Sequence, residues 1–140
     1  MKNKLFALGF AALFMVSCSD DDNEAVIRKS ELTRTWYPAS YKVGNTVTPH
    51  DHQAGCNRDN ISFDEEGSFM QVEYAEGCAV TTSTGEYSVS GNRITINIGE
   101  QTTVGTIKEL TENKLVVVTK YDFDGDGDEE TVRETYASAP

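Results

Sequence analysis

Thr82-Ser83-Thr84-Gly85-Glu86-Tyr87-Ser88-Val89-Ser90-Gly91-Asn92-Arg93-Ile94-Thr95-Ile96-Asn97-Ile98 decides the fold class. Ile94, Ile96 and Ile98 alternate with polar residues, the two-residue period of a strand with one buried face. Ser90-Gly91-Asn92 is a tight turn, and Thr82 to Val89 before it is a second strand, so the segment is a β-hairpin. Upstream, Ile61-Ser62-Phe63 runs into the turn Asp64-Glu65-Glu66-Gly67. Ser68 to Tyr74 returns, with Met70, Val72 and Tyr74 on one face, and Glu76-Gly77 breaks the chain. Downstream, Thr102 to Leu110 and Lys114 to Asp122 pair across Thr111-Glu112-Asn113, and Glu130 to Ala137 follows an Asp/Gly turn. Nearer the N-terminus, Trp36, Tyr37 and Tyr41 precede Val43-Gly44-Asn45-Thr46-Val47, a strand, a turn and a short strand. Pro49 to Asn60 is polar and reads as loop. The helical signal lies in Ala25 to Arg34, where Val26, Ile27, Glu31 and Leu32 can line one face of a short N-terminal helix. The predicted fold is all-β, a small antiparallel up-and-down barrel of about eight strands, because closure removes the exposed edges of a meander.

The first residues have a different character. Lys2 and Lys4 precede an apolar run from Leu5 to Val16, the order of a secretory signal peptide. The run is too short to span a hydrocarbon core of about 30 Å as a helix. Met15-Val16-Ser17-Cys18 resembles the lipobox of bacterial lipoproteins, with Met15 where Leu is usual. That resemblance implies cleavage after residue 17 and lipidation of Cys18, with the membrane as partner through acyl chains. Ser19-Asp20-Asp21-Asp22-Asn23-Glu24 reads as a solvated tether. It also resembles the acidic export signal of surface lipoproteins in some Gram-negative bacteria. The expected location is therefore the outer membrane, with the cell surface ahead of the periplasmic face. The expected organisation is a signal peptide over 1–17, a lipidated acidic tether over 18–29 and a barrel domain over 30–140.

The whole chain has a net charge of −11. Loss of Lys2 and Lys4 with the leader leaves ten basic residues against 23 acidic ones, a charge of −13. Such a chain repels phosphate backbones, which argues against nucleic acid as a partner. With Cys18 assigned to lipid, Cys56 and Cys78 remain as an even pair in an oxidising compartment and read as one disulfide. The long loop it closes makes the bond worth about 3 kcal/mol in the chain-entropy account.

A second resemblance runs from about Leu32 to Tyr136. Leu32-Thr33-Arg34-Thr35-Trp36 resembles the Leu-x-Gly-x-Trp of lipocalin-like lipoprotein domains, with Arg34 in place of the usual Gly. Cys56-Asn57-Arg58-Asp59-Asn60-Ile61-Ser62-Phe63 and Glu66-Gly67-Ser68-Phe69 resemble their Cys-x-x-Asp…Phe…Asp-Gly-x-Phe segment. Cys78 resembles the partner cysteine, Gly85-Glu86-Tyr87 resembles Gly-x-Trp/Tyr, and Ile107-Lys108-Glu109-Leu110-Thr111 resembles Ile-x-x-Leu-Thr. The resemblance implies a small barrel and no settled activity, since fold and function separate readily.

The densest chemical pattern is Asp122-Phe123-Asp124-Gly125-Asp126-Gly127-Asp128-Glu129-Glu130. Alternate carboxylates with Gly127 after the third match the first half of a calcium loop, with Asp122, Asp124, Asp126, Asp128 and Glu130 as candidate ligands. Arg133 stands where an EF-hand has its bidentate Glu, and no flanking helices are predicted. The other reading is a solvated acidic turn, because Asp-Gly is itself a strong turn pair. His50-Asp51-His52 with Asp59 is a candidate transition-metal set, although i and i+2 histidines share a face only on a strand and this stretch reads as loop. No nucleophile motif or phosphate-cradling loop is present, so an enzyme is not expected. Trp36, Tyr41, Phe63, Phe69, Tyr74 and Tyr87 are the candidate barrel-lining residues. The functional expectation is a lipid-anchored binding protein for a small apolar or amphipathic ligand. The alternative is a calcium-stiffened structural or interaction module with a filled interior, presented to a surface protein partner. A continuous apolar void of about 300 Å³ or more, open at one barrel end, separates the two.

Overall fold

The computed structural model describes residues 26–140, so the expected signal peptide, Cys18 and most of the acidic tether lie outside the described residues. A four-residue helix, α1 (Lys29–Leu32), precedes nine strands: β1 (Thr35–Val43), β2 (Thr46–Pro49), β3 (Asn60–Phe63), β4 (Ser68–Tyr74), β5 (Val80–Ser90), β6 (Arg93–Ile98), β7 (Gln101–Leu110), β8 (Lys114–Tyr121) and β9 (Glu130–Ala137). Each strand from β3 to β8 pairs antiparallel with the next. β1 pairs with β9, which closes the barrel. On its other edge β1 takes β3 at Thr35 and Trp36 but β2 from Ser40 to Val43. β2 and β3 thus share one of eight positions around the barrel, and the loop 50–59 runs between them. A bulge at Ala39 lets β1 follow the curvature.

The barrel is packed at one end. Leu32, Trp36, Phe63, Phe69, Tyr87, Ile94, Ile107, Leu115 and Val117 form its buried core. α1 plugs this end: Leu32 is fully buried and its carbonyl accepts the Trp36 indole N–H at 3.0 Å. The helix is shorter than the stretch with helical pattern, and Val26 is exposed. Ile27 instead donates its N–H to the Gly91 carbonyl in the β5–β6 turn, a bond that draws the lead-in across the barrel end. Arg34, the departure from the family pattern, spreads its guanidinium over the Trp36 ring at 5.3 Å and donates to the Glu112 carbonyl at 2.6 Å. It covers the tryptophan and ties β1 to the β7–β8 turn. The disulfide expected between Cys56 and Cys78 is present, with Cα atoms 5.3 Å apart. It joins the 50–59 loop to the turn between β4 and β5.

Candidate functional site

Alternation along the strands places a second set of inward side chains at the other end, where the barrel is not filled. Phe69, Gln71 and Glu73 on β4, Ile96 and Ile98 on β6, Thr103 on β7, and Glu134 and Tyr136 on β9 border a cavity of about 610 Å³. Its floor is apolar, because Ile61, Phe69 and Ile96 pack onto the core below. Its upper wall is polar. Burial pushes the Glu134 carboxyl above the ordinary glutamate value, an effect only partly offset by the Tyr136 hydroxyl and by His50. Tyr136 is raised well above the usual phenol range, first by burial and then by the Glu134 charge. Tyr121, also on the wall, is raised by burial and by Glu134.

The mouth is bordered by two loops. His50 and Asp59, at the ends of the 50–59 loop, line the cavity and meet at 2.8 Å between Nε2 and Oδ2. Asp59 Oδ1 accepts the Tyr74 N–H at 2.8 Å. Burial favours the neutral carboxyl here, but the bonds from His50 and Tyr74 outweigh it and hold Asp59 below its usual range. The second loop, 122–129, joins β8 to β9. Asp122 accepts from the N–H groups of Gly125 and Gly127, Asp124 from Asp126, and Asp126 from Asp128. Carboxylate oxygens of Asp122, Asp124 and Glu130 lie within 4.8 Å of one another.

The structure scatters the six aromatic residues expected to line the barrel. Phe69 lines the cavity. Trp36, Phe63 and Tyr87 lie in the packed end, where the Tyr87 hydroxyl donates to the Asp64 carbonyl at 2.6 Å. Tyr41 packs against Phe123 at the mouth. The expectation for Tyr74 is corrected: Phe69 and Tyr74 are five residues apart on one strand and so face opposite sides, which puts Tyr74 outside, beside Cys56 and Asn57. The wall residues Gln71, Glu134 and Tyr136 were not singled out in the sequence. Glu134 and Tyr136 share the phase of the buried Val132, and that parity was the available signal.

A profile of the lipocalin-like domain family matches residues 32–117. The chain belongs to the lipocalin-like domain family. Among solved structures, this lipocalin-like chain is similar to a lipocalin-like protein from Bacteroides uniformis, with 17% identity and a TM-score of 0.59 over 77% of this chain and 98% of that one. It is also similar to an uncharacterized protein from Bacteroides eggerthii, with 12% identity and a TM-score of 0.57 over 76% of this chain and 98% of that one. At these identities the likeness shows the lipocalin-like fold. No curated protein matches the sequence.

Proposed function

We propose that this lipocalin-like protein binds a small amphipathic ligand in the barrel cavity and does not convert it. The observation that carries the reading is the cavity itself, about 610 Å³, open at one barrel end and within the range of small-molecule sites, with an apolar floor and a polar upper wall in place of a wholly apolar void. Ile61, Phe69, Ile96 and Ile98 suit the apolar body of the ligand. Gln71, Glu134 and Tyr136 suit a polar end, and a basic or hydrogen-bond-donating group there would offset the desolvation of the Glu134 carboxylate.

The rest of the reading concerns where the barrel works and what steadies it. A lipid on Cys18 holds it at the outer membrane, and the acidic tether favours display at the cell surface. Calcium bound among Asp122, Asp124, Asp126, Asp128 and Glu130, of which Asp122, Asp124 and Glu130 bring carboxylate oxygens within 4.8 Å of one another, stiffens the loop at the mouth. The amides already directed at Asp122 give this loop the inward turn that a calcium loop needs at its glycine.

Native mass spectrometry of the protein purified from its own host tests the reading. A co-purifying small molecule that dissociates on denaturation is expected. An empty barrel that also refuses every apolar probe favours the filled-module alternative. Cys18→Ser should release the protein from the membrane fraction, and unchanged partitioning would remove the lipid anchor from the account.

A further inference from the structure

We propose that His50, His52 and Asp59 form a zinc site at the cavity mouth. The chain contains two histidines, and the fold brings both into one loop with their rings 4.6 Å apart. His52 Nε2 lies 3.0 Å from the Pro38 carbonyl, which can only accept, so Nε2 carries the proton. That leaves Nδ1 as the lone-pair nitrogen. It is buried and has no hydrogen-bond partner among the described residues. A buried acceptor without a donor is costly, and a cation would satisfy it. An imidazole held by a backbone carbonyl through its other nitrogen is also how proteins orient metal-bound histidines.

The other two groups are similarly positioned. Asp59 is fixed by the Tyr74 N–H on Oδ1, which leaves Oδ2 directed at His50 Nε2. Their side chains are 14% and 30% exposed, so the pair is largely shielded yet reachable. One ligand atom from each of His50, His52 and Asp59 lies within 4.8 Å of the other two. Tetrahedral zinc with bonds of about 2.0–2.2 Å holds its ligands about 3.3 Å apart, so small side-chain movements close the site. Zinc enters between His50 and Asp59 by taking the place of the Nε2 proton, which passes through solvent to His50 Nδ1, so the imidazole binds as the neutral ligand. Two imidazoles and one carboxylate suit a borderline transition ion rather than calcium or magnesium. Cys56 is committed to the disulfide and is no ligand, but through it the loop is tied to the β4–β5 turn. The fourth position is left for water or for a group of whatever occupies the cavity. The site stands without a cavity ligand.

Titration of zinc into the chelator-stripped full-length protein, followed by calorimetry, should show one site of micromolar affinity or tighter. His52→Ala and Asp59→Asn should each weaken binding by about 100-fold or more, while Glu65→Gln, in the turn before β4, leaves it unchanged. Circular dichroism checks that the variants remain folded. One equivalent of zinc should also move the ring-nitrogen resonances of both histidines in the unaltered protein, a readout that needs no variant. Absence of saturable binding overturns the proposal. So does zinc binding that survives His52→Ala or leaves both histidine signals in place.

Discussion

The Phe123 ring lies 5.2 Å from that of Tyr41 and 6.0 Å from that of Tyr121. Phe123 is the second residue of the acidic run, and Tyr121 lines the cavity, so the root of the acidic loop is packed onto the barrel mouth. Order in the loop is therefore passed to the mouth. Millimolar Ca²⁺ is expected to raise the thermal midpoint, by about 2–3 kcal/mol of added stability at a hundredfold excess over Kd. The double variant Asp124→Ala, Asp126→Ala should abolish the rise. No shift in the unaltered protein would make the loop a solvated turn.

Two inward glycines should differ sharply in their tolerance of alanine. A Cβ at Gly85 would sit 2.0 Å from the Asn97 carbonyl oxygen, which is backbone in the neighbouring strand and cannot yield without breaking the β5–β6 ladder. A Cβ at Gly105 would meet the Val117 Cγ1 methyl at 2.7 Å and the Thr119 Cγ2 methyl at 3.1 Å, contacts with side chains rather than with backbone. Gly105→Ala is expected to cost about 1–3 kcal/mol by overpacking, and Gly85→Ala more than that, to the point of poor folding. Urea denaturation of both variants measures the order, and equal losses would contradict it.

Glu134 gives stability a dependence on pH of uncommon sign. Its folded pKa is raised above the ordinary value of 4.5 by burial, so the folded protein holds this proton more tightly than the unfolded chain does. The contribution is complete below the unfolded value and is lost as pH rises through the folded value. Glu134→Gln should therefore raise the thermal midpoint at neutral pH, with the advantage shrinking as the parent is acidified through its raised folded value and gone below about 4.5. Melting curves across that window decide it, and an advantage that grows on acidification would be inconsistent with a desolvated carboxyl.

Strand positions were legible because alternation and turn residues are local signals: Arg93–Ile98 and Glu130–Ala137 fall where the pattern places them. The inward face of β4 was not. Met70, Val72 and Tyr74 are the more apolar set, but the cavity wall is polar and takes Gln71 and Glu73, so hydrophobicity pointed away from the interior. His50 and His52 do lie in a loop, as their neighbours suggest. They meet because His50 N–H bonds to the Ala39 carbonyl and His52 reaches Pro38, which continue the β1–β2 register past the end of the strand. That pairing is long-range and leaves no mark in the spacing. The division of one barrel position between β2 and β3 is of the same kind.

The central claim is that the unfilled barrel end is a ligand site, and competition for a fluorescent apolar probe tests it most directly. Ile96 lies on the cavity wall and Met70 on the outer face of β4, so Ile96→Trp should fill the cavity while Met70→Trp leaves it open. The account predicts saturable probe binding in the parent and in Met70→Trp, and its loss in a folded Ile96→Trp. Probe binding that is absent from the parent, or equally strong in Ile96→Trp, would contradict it.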